Sequence, residues 1–240
     1  GYDMLTTIFC MESTGVYSNH LVEQISLLNG NYHIGNALHI KMSMGISRGK
    51  DDKADAIRIA KFAWKNRDEL HIPEPRRLEI SKLAELNSLR KRLIGVKLIL
   101  AKPIAEQSIF VNNTIYSICV EHCKSSMAEI EKDLTNVEAT IEGIISADIY
   151  LKRLRQVITS VPGVGPVTAS QIIICTNEFK NFTKAKKFAC YAGISPFRRV
   201  SGTGNERLRA RVSQIANKEM KALLHICALC AIRHDESVRK

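Results

Sequence analysis

The chain has 240 residues, 45% hydrophobic and 25% charged, which excludes wholesale disorder and leaves room for one large core or two small ones. It lacks an apolar run of about eighteen residues, and its opening stretch to Cys10 is short and carries Asp3, so neither a membrane span nor a signal peptide is expected and the cytosol is the expected compartment. The net charge of +11 is placed unevenly: residues 151–240 hold 17 Lys and Arg against 5 Asp and Glu, whereas residues 1–150 hold 18 against 19. A basic segment on an otherwise neutral chain is the footprint of a polyanionic partner.

In chain order, Leu5 to Met11 reads as a buried strand ending at Glu12, and a helix is expected from about Tyr17 to Leu28, closed by Asn29-Gly30. His33 to His39 reads as a second short strand. Asp51 to Lys65 has helical period, with Ile57, Ala60 and Trp64 on one apolar stripe. Strand, helix, strand, helix points to an α/β layer. Beyond Pro73 and Pro75, Leu86, Leu89, Leu93, Val96 and Leu100 step by heptad spacing, as do Met127, Ile130, Leu134, Val137, Ile141 and Ile144. Pro103 and the polar stretch from Val111 to Thr114 fall between these seams. Two long helices are expected there, paired as a hairpin or against a second subunit. The basic region opens with a helix, breaks at Val161-Pro162-Gly163-Val164-Gly165-Pro166, and resumes as an apolar helix from Val167 to Cys175. A Gly- and Arg-rich loop from Pro196 to Gly204 and a last helix ending near His234 complete it.

Four constellations can carry chemistry. Glu12 stands where a strand ends, and Asp52 and Asp55 are three apart at a helix start, so the carboxylates can face one point and offer Mg²⁺ the oxygen ligands it prefers. The plainer role for Asp52 and Asp55 is helix capping and compensation of the helix dipole. The turn at Gly163 and Gly165 joins two helices as in helix-hairpin-helix modules, whose backbone N–H groups meet phosphate without reading sequence; an ordinary turn is the alternative. Ser201, flanked by Gly202 and surrounded by Arg198, Arg199, Arg207, Arg209 and Arg211, can meet a phosphate closely and attack phosphorus if its proton has an acceptor. A turn serine is the plainer reading. His225, Cys227, Cys230 and His234 have zinc-like spacing, but one continuous helix cannot converge them, and the seven scattered cysteines read as reduced, buried thiols.

The segments Cys10-Met11-Glu12-Ser13-Thr14-Gly15-Val16-Tyr17 and Lys50-Asp51-Asp52-Lys53-Ala54-Asp55-Ala56 resemble the DEDD-type transposases of the insertion-sequence-110/116/902 family. So do the turn from Val161 to Pro166, the stretch from Phe188 to Pro196, and Ser201-Gly202, all in the family's order. The resemblance implies an α/β plus α protein. Residues 1–72 would form a partial ribonuclease-H-like (resolvase-like) domain and residues 73–148 a long helical coiled-coil arm. Residues 149–240 would form a mostly helical C-terminal transposase domain with a helix-hairpin-helix-like motif. It implies Glu12, Asp52 and Asp55 as Mg²⁺-binding catalytic residues and Ser201 as the nucleophile joined covalently to DNA. It further implies donor and target DNA as substrates, a bridge RNA as guide, a dimeric or tetrameric assembly with no membrane partner, and residence at the bacterial nucleoid. The family's first acidic residue precedes Glu12 on an earlier strand, which Asp3 does not replace, and family members continue helically past Lys240. A chain shortened at both ends is therefore expected. Two alternatives use the same residues: a non-catalytic nucleic-acid-binding remnant, and a resolvase-like nuclease using carboxylates and water.

Overall fold

The computed structural model describes residues 3, 4, 6–45, 51–70, 72–197, 211–213 and 215–239. Most of them are helical, and they fall into two compact units, Gly1–Pro75 and Arg76–Lys240.

In the first unit, strand β1 (Ile8–Glu12) lies parallel to β2 (Asn31–Gly35), with Ile8 opposite Asn31 and Glu12 opposite Gly35. Parallel neighbours require a crossover, supplied here by a 3-10 turn (Gly15–Ser18) and helix α1 (Asn19–Leu27). The second strand is shorter than expected. It stops at Gly35 because Asn36 caps a helix, its Oδ1 accepting the N–H groups of Leu38 and His39, and residues 37–43 become α2 (Ala37–Ser43). Helix α3 (Asp52–Lys65) follows.

The buried stripe of α3 is not the expected one. Phe62 is 1% exposed, its ring 5.2 Å from that of His39 and 6.3 Å from that of His33. Asp55, Arg58 and Ile59 share that side and are half-buried. Trp64 stands about 200° further round the helix and faces solvent at 70% exposure, with Ile57 at 47%. One phenyl ring seated against two imidazoles outweighs the more numerous but flatter Ile57, Ala60 and Trp64 set.

The second unit is built on two long helices, α4 (Leu78–Phe110) and α5 (Asn113–Ala147), which pair antiparallel. Salt bridges from Arg90 to Glu138 (2.7 Å) and from Lys97 to Glu131 (2.6 Å) link them across the surface. On α5 the expected seam turns inward, each of its positions buried or half-buried. On α4, Leu86, Leu93 and Leu100 are half-buried, but Leu89 and Val96 are 36% and 46% exposed, and Ile80, Leu83 and Asn87 take the innermost places. Helix α4 also runs through Pro103, whose missing N–H deprives only the carbonyl of Ile99, a residue on the exposed side. The break comes at Asn112, which caps α5 by accepting the N–H of Thr114 at 2.9 Å.

Helices α6 (Ile149–Thr159), α7 (Pro166–Thr176), α8 (Ala185–Tyr191) and α9 (Lys218–His234) complete the unit. Helix α7 is apolar nearly all round and is accordingly buried along most of its length, with Ala169, Ile172, Ile173 and Ile174 in the core alongside Ile80, Leu83, Ile145, Leu151 and Met220. Phe182, Phe188 and Tyr191 form an aromatic cluster, and Asn217 ties it to α9, donating from Nδ2 to the Tyr191 hydroxyl at 2.7 Å. Two-residue strands β3 (Pro196–Phe197) and β4 (Arg211–Val212) pair antiparallel.

At the base of the helical pair, Arg77 clamps three elements. Its Nη1 donates to Asp148 Oδ2 at 2.7 Å, and its Nε lies 3.1 Å from both carboxylate oxygens of Glu178, whose side chain is fully buried. The two partners hold the guanidinium well above its ordinary range, the hydrogen bonding to Glu178 contributing most. Asp148 also caps α6 through the N–H groups of Tyr150 and Leu151; these bonds, led by that from Leu151, keep its carboxyl below the ordinary range.

Candidate active site and nucleic-acid interface

Glu12 closes β1, where Ser13 donates its N–H to the Gly35 carbonyl at 3.0 Å and ends the ladder. Asp52 and Asp55 occupy the first turn of α3, and α3 packs against β1. Both aspartates sit at the positive end of the helix dipole, a favourable place for negative charge whatever else they do. Asp55 is engaged locally, accepting from Arg58 Nη1 at 2.6 Å. Among the described residues, no group of three or more His, Cys, Asp or Glu side chains is gathered closely enough to hold a metal ion. Glu12, Asp52 and Asp55 are thus not gathered into one such group. His225, Cys227, Cys230 and His234 lie along the unbroken helix α9.

The turn between α6 and α7 is shaped by two glycines doing different work. Gly163 has φ +81°, the left-handed region that favours glycine, and a Cβ there would overlap the Cys227 carbonyl oxygen and lie 2.9 Å from Ala231 N. It lets the turn lie against the backbone of α9. Gly165, the N-cap of α7, would meet nothing within 4 Å if given a Cβ, so the helix start is open on that side. Pro166 at the first helical position has no N–H to leave unpaired, and the exposed Val167 follows. Of the two glycines expected to contact phosphate, Gly163 is seated against protein and Gly165 borders open space.

Behind this helix start, Asn87, Arg90, Glu142, Arg155, Val167 and Ser170 line a cleft of about 140 Å³. Its two arginines are already paired, Arg90 with Glu138 and Arg155 with Glu142. The Arg155 guanidinium holds the Glu142 carboxyl down at about 2. A carboxylate depressed on folding stabilises above its unfolded value and loses that contribution as pH falls through its folded one. Stability is therefore expected to decline between about pH 4.5 and about 2 as Glu142 protonates, by a small amount because its side chain is 56% exposed. Thermal melts across this window should show a shallower acid limb for Glu142→Gln than for the unaltered chain.

Ser201, Arg198, Arg199, Arg207 and Arg209 lie outside the described residues. Phe197 and Arg211, the residues that flank 198–210, pair across the β3–β4 ladder. The ladder follows α8, whose C-terminal Gly193, at φ +68°, would bring a Cβ within 2.5 Å of Ala216 Cβ at the approach to α9. Sequence reasoning missed this base. Its signals are Gly193 and the Ser195-Pro196 step, of which only Pro196 fell in the expected loop.

Residues 4–98 match the DEDD transposase family of the insertion-sequence-110 type, and residues 155–240 match the family described as Transposase IS116/IS110/IS902. The two matches cover the carboxylates, the α6–α7 turn and Ser201.

The chain belongs to the IS116/IS110/IS902 transposase family.

This transposase is 24% identical over 233 residues to the pilin gene-inverting protein of Moraxella bovis, a match spanning 95% of this chain and 68% of that relative. A protein of the same description from Moraxella lacunata matches to the same extent. The insertion element IS110 uncharacterized 43.6 kDa protein of Streptomyces coelicolor is 28% identical over 135 residues, 56% of this chain and 32% of that relative. The family's members are, broadly, DNA-acting enzymes, and its DEDD type suggests divalent-metal dependence in general. Among the described residues, no helix is long and apolar enough to cross a membrane.

Proposed function

We propose that this transposase cuts and rejoins donor and target DNA through a covalent Ser201–DNA intermediate. The observation that carries the reading is co-occurrence: one chain holds both family segments, with Glu12, Asp52 and Asp55 in the first and the open α7 start, the basic excess and Ser201 in the second. The Moraxella relatives, described as inverting a gene, support DNA rearrangement as the outcome.

In this reading Ser201 Oγ attacks the scissile phosphorus as the bond to the deoxyribose oxygen breaks, and the proton lost by the serine is balanced by the one that the departing oxygen takes up to leave as a hydroxyl. Arg198 and Arg199 stabilise charge that develops on the phosphoryl oxygens, which is where fixed cations are most effective. Attack by a deoxyribose hydroxyl of the exchanging strand then releases the serine. Gly165, with Arg207, Arg209 and Arg211, holds phosphates nearby without reading bases. Glu12, Asp52 and Asp55 are the residues that would hold Mg²⁺, the ion their oxygen donors prefer, and the attack by Ser201 needs no step on that ion. A bridge RNA as guide, a dimer or tetramer as the working particle, and a place in the cytoplasm beside the nucleoid complete the proposal.

Replacing Ser201 with Ala is expected to lower covalent protein–DNA adducts by about a thousandfold or more while leaving DNA binding intact, read on denaturing gels with nicked substrate. Adducts that persist remove Ser201 from the role. One observation favours a second reading, that of a nucleic-acid-binding remnant: the ungathered carboxylates. The unaltered chain would then bind DNA and form no adduct at all.

A further inference from the structure

The solvent face of α3 plays no part in the chemistry above, yet it is chemically distinctive. Trp64 is the only tryptophan in the chain and is 70% exposed. The Arg67 guanidinium lies over its ring, 4.8 Å from the centroid, and is held there by donating from Nη1 to the Trp64 carbonyl at 2.9 Å. One face of the indole is thus covered by a cation. Lys53, Ile57 and Lys61 follow one another at four-residue steps, and Trp64 comes three residues later, so they form one stripe about 16 Å long. Lys53, Lys61, Lys65 and Arg67 are all exposed and make no salt bridge to another described residue. The acidic residues of α3, Asp52 and Asp55, project from the other side of the helix. Asp68 and Glu69 come in the turn beyond its end and leave the face net positive.

We propose that this face binds single-stranded polynucleotide, with an unstacked base lying on the open side of Trp64 and phosphates running along Lys53, Lys61 and Arg67. Cations beside an aromatic platform are what strand binding without sequence preference requires, since every base has a stackable face. A duplex keeps its bases stacked and has no free base face to lay on an indole. A protein partner fits less well. Ile57 and Ala60 are the aliphatic residues of this face, too few for a dry interface core beside four cations that make no salt bridge to a described residue. The inference takes a nucleic-acid partner from the proposed function but not its serine chemistry, so loss of adducts with Ser201→Ala and loss of binding at Trp64 fail separately.

A sole tryptophan makes the test direct. Unlabelled oligouridine and oligothymidine of about 15 nucleotides are titrated into the full chain while Trp64 emission is followed. Saturable quenching by either strand supports the proposal, and the stronger quencher identifies RNA or DNA as the preferred occupant. Anisotropy with labelled strands should show affinity about tenfold weaker for Trp64→Ala and nearly unchanged for Trp64→Phe. Lys53→Gln with Lys61→Gln should reduce the slope of log affinity against log salt by about 1.4. Emission that ignores both strands, that responds to duplex alone, or that changes only with protein concentration overturns the proposal; the last result assigns the face to a second copy of the chain.

Discussion

Replacing Gly163 with alanine is expected to destabilise the second unit by about 3–5 kcal/mol and to lower its melting temperature by about 10 °C. Two costs combine. The residue sits at φ +81°, where a Cβ adds about 1–2 kcal/mol of strain. The new methyl would also overlap the carbonyl of Cys227 and crowd Ala231, and these are backbone contacts of α9 with no side chain free to swing aside. Either the turn lifts from α9 or α9 shifts, and Cys227 and Thr168, whose Sγ and Oγ1 are 3.6 Å apart, separate. Gly165→Ala is the matched control. It faces open space at φ −88°, so only the preference of a helix start for glycine is lost, about 1 kcal/mol. Melts of the two variants side by side check the contrast; equal losses would place the stiffness elsewhere in the turn.

Arg77→Met should cost about 3–5 kcal/mol, the typical result of stranding one member of a buried ion pair. The Glu178 side chain is fully buried and among the described residues would keep Lys180 as its cation, with Nζ 3.4 Å away. Asp148 would lose a ligand too but is better supplied, since its other oxygen accepts two backbone N–H groups. The double change Arg77→Met with Glu178→Gln should recover much of the loss, because the stranded charge is then gone. Denaturant titration of the single and double variants measures the difference. A double variant as unstable as Arg77→Met alone would mean that shape rather than charge holds the clamp.

How far the sequence revealed this architecture depends on the distance over which each signal acts. The α5 seam was legible because its heptads are unbroken and face one partner. Helix α4 carries apolar residues on more than one side, so periodicity could not choose between Leu89 with Val96 and Ile80 with Leu83. In α3, counting apolar residues favoured the stripe through Trp64, whereas one well-seated phenylalanine decided the matter. The early end of β2 was readable in principle from Asn36, a good cap. The Arg77–Glu178 pair was not, as its members are 101 residues apart. Nor was the left-handed run at Asn177, Glu178 and Phe179, for which only the asparagine gives a hint. The candidate site was legible as residue types in a recurring order. The engagement of Asp55 by Arg58 and the seating of Gly163 on α9 are three-dimensional facts that no spacing announces.

The Arg77 clamp has a mechanical consequence. Helix α4 extends about 50 Å from it, and at the far end Ile109 and Phe110 are 75% and 84% exposed. A pivot of about 5° at the clamp would sweep that tip through roughly 4 Å, a whole side-chain diameter. A misalignment at the base of the helix would thus be felt most at Ile109 and Phe110.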